Sequence, residues 1–204
     1  MTTASTFWDK AATKYAASKM SDPEGYRATL ERTRAHLQPQ DHVLEIGCGT
    51  ASTAIELAPS VAHFTATDIS SAMIDIGREK TRAAGVENIS LFVREASDVP
   101  EGPFDAILAF NLLHLLPNQA ETLARVHASL KPDGLFISKT ICLAEKWYFR
   151  PLIGVMALFG KAPFVTHQRV DELRAAILAA GFEPVEELIQ SGAAPRLYLV
   201  ARRV

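Results

Sequence analysis

The chain is short of several things, and each shortage closes off a class of function. It has only two cysteines, Cys48 and Cys142, too few for the disulfide framework that braces small secreted domains, so a reducing compartment is expected. No His, Cys, Asp or Glu residues fall at the spacing of a metal centre, and no metal is expected. Basic residues are not in surplus: 21 Lys and Arg stand against 23 Asp and Glu, for a net charge of -2. Phosphate neutralisation needs a cationic excess, so nucleic acid is not the expected partner. Long apolar runs are also missing. The longest, Pro151 to Gly160, falls well below the about 20 residues that cross a bilayer. The opening Met1-Thr2-Thr3-Ala4-Ser5-Thr6-Phe7-Trp8-Asp9 has neither the basic nor the apolar region of a signal peptide. A cytoplasmic protein is expected, touching a membrane at most on its surface.

What is present is an ordinary globular composition. With 48% hydrophobic and 22% charged residues the chain can bury a core. At 204 residues it suits one domain better than two, and nothing in it fixes an oligomeric state. Phe7, Ala11 and Tyr15, then Tyr26, Leu30, Thr33 and Leu37, recur at helical spacing on either side of Asp22-Pro23, which predicts a helical cap over residues 1–40. From residue 42 short apolar runs at 42–46, 63–67, 89–93, 104–110 and 135–138 alternate with helical periodicity at 52–57, 71–84 and 118–130. That alternation predicts an α/β doubly wound parallel sheet over residues 41–140. Lys131-Pro132-Asp133-Gly134 reads as a turn in which proline fixes φ and glycine supplies the positive φ. Residues 141–168, with Trp147, Tyr148, Phe149, Phe159 and Phe164, are irregular and aromatic; they suit a lid over an apolar substrate, a surface resting on lipid, or plain packing. A helix at 171–180 and an antiparallel pair at 185–189 and 197–201 complete the expected single domain.

A strand that runs into Gly47-Cys48-Gly49 and then a helix brings backbone amides against a ligand, because glycine has no Cβ to hold it off. The next strand ends in Asp68, whose carboxylate can accept from both hydroxyls of a ribose. The pattern describes a nucleoside site. A dinucleotide fingerprint would place a third glycine where Ser52 stands, and no phosphate-cradling G-x-x-x-x-G-K-[ST] occurs. Tyr15-Ala16-Ala17-Ser18-Lys19 spells the Tyr-x-x-x-Lys pair of some nicotinamide reductases, but it precedes the glycine turn and is read as coincidence.

Val43-Leu44-Glu45-Ile46-Gly47-Cys48-Gly49-Thr50 resembles the first motif of the class I S-adenosylmethionine-dependent methyltransferases, in a version that acts on small molecules. Asp68-Ile69-Ser70 with Met73 resembles the ribose motif, Arg94-Glu95-Ala96-Ser97-Asp98-Val99-Pro100 the adenine loop, and Phe104 to His114 the fourth strand and the turn after it. Leu130-Lys131-Pro132-Asp133-Gly134-Leu135 resembles the turn before the fifth strand. Two departures stand out. Ala51 occupies a position that is often glycine, and Arg94-Glu95-Ala96 replaces the frequent Gly-Asp-Ala.

The resemblance implies a Rossmann-like, mostly parallel seven-stranded sheet with helices on both faces and a C-terminal antiparallel hairpin strand. It also implies S-adenosyl-L-methionine as cofactor, S-adenosyl-L-homocysteine as its product, and a small-molecule methyl acceptor. Glu45 would orient the glycine loop or the cofactor's amino group, Gly47, Cys48, Gly49 and Thr50 would admit its methionine moiety, and Asp68 and Ser70 would meet the ribose. Ile69, Met73, Glu95, Ala96 and Ser97 would surround the adenine, and Asn111 and Leu112 would offer main-chain groups to the ammonium. Trp8, Tyr15 and Tyr26 would close over the sulfonium, since aromatic faces attract cations, or would simply pack the cap. His114 is the candidate base, with a structural role as the alternative. A cofactor-binding module without activity, a lipid methyltransferase and a nicotinamide reductase are the competing readings. The absence of an Asn-Pro-Pro-Tyr motif at residues 111–114 shifts the acceptor towards O, S, C or an alkyl amine.

Overall fold

A computed structural model describes residues 3–145 and 162–204. The N-terminal cap consists of α1 (Ala4–Ala17) and α2 (Pro23–Ala35). The chain leaves helical geometry at Ser18, and Asp22 then caps α2 by accepting the Gly25 N–H at 2.9 Å. Pro23 takes the first helical position, where its missing N–H would have had no partner.

The sheet is built from β1 (His42–Ile46), β2 (His63–Asp68), β3 (Ile89–Val93), β4 (Phe104–Phe110), β5 (Leu130–Ile141), β6 (Phe182–Gln190) and β7 (Arg196–Arg203). Their spatial order is β3-β2-β1-β4-β5-β7-β6. The first five strands pair in parallel, and β7 runs antiparallel to both β5 and β6. Connections from β1 lead outward to one side and those from β4 to the other. The switch between them is where a crevice opens beyond the carboxyl ends of the strands.

Helices cover both faces. Leu30 of α2 packs with α3 (Ser52–Leu57) and α4 (Ser71–Ala84) on Val43, Leu108 and Ile137, while α5 (Gln119–Ser129) and α6 (Val170–Ala179) pack on Leu44, Ile46, Ile107 and Leu199. Val43, Leu44 and Ile46 are all fully buried, which is why β1 reads as a continuous apolar run rather than an alternating one. Each such side chain stabilises the fold by roughly 1.5–3 kcal/mol. No helix among the described residues is long and apolar enough to cross a membrane.

Two local expectations change. β5 extends to Ile141 rather than stopping at 138, because β7 pairs with it over Leu135–Ile141. Residues 131–134, expected as a turn, fall inside β5, which starts at Leu130 and shifts register against β4 there; the positive φ in this stretch belongs to Asp133 (62°) and not to Gly134. Asp tolerates the left-handed region better than most residues, and Gly134 is needed for space: a Cβ there would lie 2.9 Å from the Lys131 carbonyl oxygen.

The cap is tied down by long-range contacts. Asp9 accepts from the Ser70 hydroxyl at 2.7 Å and from the Ala72 N–H at 3.2 Å, which pins α1 to the start of α4. Thr33 meets the Tyr198 hydroxyl at 3.4 Å, and Glu186 of β6 pairs with Arg32 and with His36.

Candidate active site

β1 ends in the turn that the sequence singled out. Gly47 (φ 69°) and Gly49 (φ 54°) both lie in the left-handed region, where a side chain costs roughly 1–2 kcal/mol. A Cβ on Gly47 would sit 2.7 Å from Leu112 Cδ1. Ala51 adopts the same conformation (φ 58°) while fully buried, so alanine stands where glycine would be unstrained. The Cys48 N–H reaches across to the Thr67 carbonyl at 2.9 Å and holds the turn against β2.

Asp68 closes the turn from the other side. Its Oδ2 accepts the Gly49 N–H and its Oδ1 the Ser70 N–H, each at 2.9 Å. Burial raises its pKa, and the two amides pull it back towards the ionised form. A carboxylate fixed in this way keeps lone pairs for ligand hydroxyls on its cavity side.

Glu45 is 2% exposed, and its Oε2 has no hydrogen-bond partner. Burial, reinforced by the neighbouring Asp68, pushes its pKa up to about 8. An orphaned carboxyl beneath a glycine turn is costly unless a cation completes it. A ligand carrying a sulfonium and an ammonium, with a ribose for Asp68, fits this donor and acceptor set.

These groups open into one cavity of about 1010 Å³. Trp8, Tyr15, Tyr26, Glu45, Gly47, Cys48, Gly49, Thr50, Asp68, Ile69 and Met73 line it, as do Glu95, Ala96, Ser97, Asn111, Leu112 and His114. Tyr15 reaches the glycine turn itself, with Cε1 at 3.7 Å from the place a Gly49 Cβ would take. The 94–97 loop is brought in by the Arg94 N–H, which donates to the Asp68 carbonyl at 2.9 Å. Asn111 (φ 53°) donates its N–H to the Lys139 carbonyl at 2.7 Å and turns the chain into the site after β4.

Ser70 is the one residue named from the sequence that does not line the cavity. It is fully buried; its Oγ accepts the Met73 N–H at 3.1 Å to cap α4 and donates to Asp9. Its role is structural, because both hydroxyl functions are used inside the fold. For His114, burial lowers the pKa to about 4, and Nδ1 has no partner. The ring is neutral at physiological pH and is a weaker base than an ordinary histidine. Trp147, Tyr148, Phe149 and Phe159 lie outside the described residues; of the same segment, Pro163 and Val165 face the cavity.

Sequence reasoning missed four polar residues. Asp9 supports the α4 N-terminus, and Lys80 of α4 reaches Thr50 Oγ1 at 3.2 Å and Ser52 Oγ at 2.5 Å, bracing the turn from below. Lys139 and Arg196 line the far side of the cavity. A lysine after the apolar run Phe136-Ile137 was the available signal, but it read as the end of the strand.

A methyltransferase-domain family model matches residues 44–136. The chain is 27% identical over 189 residues to a demethylmenaquinone methyltransferase of Alkalihalophilus pseudofirmus, covering 81% of this chain and 80% of the relative. It is 33% identical over 137 residues to a highly reducing polyketide synthase of Fusarium sp, but that match covers 60% of this chain and spans only 5% of the synthase's length. Among solved structures, magnesium protoporphyrin IX methyltransferase from Synechocystis PCC 6803 with bound SAH shares the fold. Its TM-score is 0.73 at 18% identity, covering 98% of this chain and 95% of that one. With the glycine turn, Asp68 and the orphaned Glu45 assembled on this sheet, the chain carries a stretch, residues 44–136, that matches a methyltransferase domain, and it is similar to S-adenosylmethionine-dependent methyltransferases in sequence and fold.

Proposed function

We propose that the protein transfers the methyl group of S-adenosylmethionine by direct displacement to a small acceptor with an apolar or aromatic body. The observation that carries this is the continuity of the cavity. It begins at Gly47, Gly49 and Asp68 and runs on to apolar walls formed by Phe110, Leu115, Ile141, Pro163 and Val165. Its volume of about 1010 Å³ stands at the upper end of the roughly 300–1,000 Å³ of single-ligand pockets, which leaves room for acceptor beside cofactor. The demethylmenaquinone and protoporphyrin enzymes among the similar proteins are named for ring compounds, in keeping with such walls.

When bound, the sulfonium supplies a methyl group with a leaving group already activated. The chain's own work is then alignment and exclusion of water. Asp68 accepts from the ribose, Ile69 and Met73 flank the adenine with Glu95, Ala96 and Ser97, and Glu45 balances the positive charge. Tyr15, Trp8 and Tyr26 cover the reacting centre from the cap, and Asn111 and Leu112 offer main-chain groups at the end of β4. His114, neutral and unpaired at Nδ1, orients the acceptor's hydrogen-bonding group rather than removing a proton at neutral pH. A chain with only two cysteines suits a reducing cytoplasm.

Calorimetry with S-adenosylhomocysteine tests the cofactor, and a screen of ring-containing acceptors for S-adenosylhomocysteine release tests the reaction. Absence of binding at millimolar cofactor would overturn the reading. Binding without turnover on any acceptor would favour a module without activity.

A further inference from the structure

The cavity places two cations together at a distance from the carboxyls of the cofactor end, which have Lys80 and Arg94 near them, while Asp22 lines the side of Lys139. The cofactor end has Glu45 and Asp68, and the far end has Lys139 and Arg196. Lys139 stands on β5 opposite Tyr198 and Arg196 on β7 opposite Ile141, so the two cations are diagonal neighbours on one face of the sheet. They lie beyond β4, on the opposite side of β1 from the ribose-binding Asp68 on β2.

Lys139 is 8% exposed. Its ammonium donates to Thr29 Oγ1 at 2.7 Å and to the Gly25 carbonyl at 3.4 Å, which leaves one of its three protons without an acceptor among the described residues. No carboxylate forms an ion pair with Lys139 or Arg196 among the described residues. Asp22 acts on Lys139 from a distance, while its own Oδ1 is taken by the Gly25 N–H. Burial and the like charge of Arg196 both lower the lysine's pKa. A buried ammonium with a second cation beside it is expensive to hold in an apolar wall, and an anion placed between them removes that expense.

We infer that Lys139 and Arg196 form the acceptor's anchoring subsite and that the acceptor carries an anionic group, a carboxylate or a phosphate, on its apolar body. This deepens the proposed function and rests on it. The anion fixes the acceptor's orientation from the end remote from the methyl group, in the way a guanidinium and an ammonium commonly hold such groups.

The test uses protein loaded with S-adenosylhomocysteine, titrated calorimetrically with benzoate, phenyl phosphate and their neutral counterpart benzamide. At least one anion is expected to bind about tenfold or more tightly than benzamide and to weaken at high salt. Whichever of benzoate and phenyl phosphate binds more tightly identifies the group. Lys139→Met and Arg196→Gln should each weaken that anion about tenfold and leave S-adenosylhomocysteine affinity nearly unchanged. Arg196 is partly exposed, so its variant keeps the test available if Lys139→Met does not fold. Equal binding of benzamide, or variants that weaken only S-adenosylhomocysteine, would overturn the inference; the latter result would assign the two cations to the cofactor's own carboxylate. Failure of the unsubstituted protein to bind S-adenosylhomocysteine at all would instead overturn the methyltransferase reading, and this inference with it.

Discussion

At the scale of single residues, the carboxyl of Glu45 is the most exposed to chemical test. Its pKa of about 8 exceeds that of an unfolded glutamic acid, so between the two values the folded chain holds a proton that the unfolded chain has lost. Stability of the cofactor-free protein should therefore fall as pH rises from about 4.5 towards 8 and level off above. Glu45→Gln should flatten that slope in denaturant titrations run across the range. A ligand ammonium placed near Glu45 favours its ionised form, so binding of S-adenosylhomocysteine, which keeps the ammonium but lacks the sulfonium, should release a proton near pH 7, detectable as a dependence of calorimetric heat on buffer, and the same variant should abolish it. Gly47→Ala should cost about 1–2 kcal/mol in stability from the left-handed backbone alone, and should weaken the cofactor further as Leu112 is pushed aside. Much at this scale could be read from sequence, since glycines, Glu45 and Asp68 announce themselves by position after apolar runs. Lys139 could not, because its meaning depends on Arg196, which lies 57 residues away in sequence and joins it only through the β5–β7 pairing.

At the scale of elements, α1 and α4 act together. α4 begins beside Asp68, and its first turn is held by its own N-cap residue Ser70 and by Asp9 from α1. Asp9→Ala removes the second support and should cost about 1 kcal/mol, the scale of a lost helix cap. Its effect on S-adenosylhomocysteine affinity should exceed its effect on global stability, since Trp8 and Tyr15 ride on the same helix; parallel thermal melts and calorimetry would separate the two. The hydrogen bond from Ser70 holds the Asp9 carboxyl below the usual carboxylate range, with the Ala72 N–H adding to it. This contribution is present above the unfolded pKa and disappears as pH falls through the folded one. Strand and helix positions were legible because period and apolarity are local. The tether was not, since Asp9 reads from sequence as an ordinary polar helix residue and acquires its role only when α1 crosses α4.

At the scale of the whole molecule, the sheet supplies rigidity and the cap supplies closure. β1 and β4 are central and covered on both faces, whereas α1 is mostly exposed and held to the rest by few polar contacts. Hydrogen exchange should therefore be fast in α1 and slow in β1 and β4, and S-adenosylhomocysteine should slow α1 far more than it slows the strands. Equal protection of the cap and the sheet without cofactor would count against the cap as a moving part.

The contacts that fasten the cap also impose an order on its making. Asp9 waits for Ser70, 61 residues later; Arg32 waits for Glu186 across 154 residues, and Thr33 for Tyr198 across 165. The cap, which precedes the sheet in the chain, is thus the last to find its seat, and a nascent chain stalled before β7 would hold a finished glycine turn under an unfastened roof. Synthesis through β7 and competence to retain the cofactor are, by this geometry, nearly the same event.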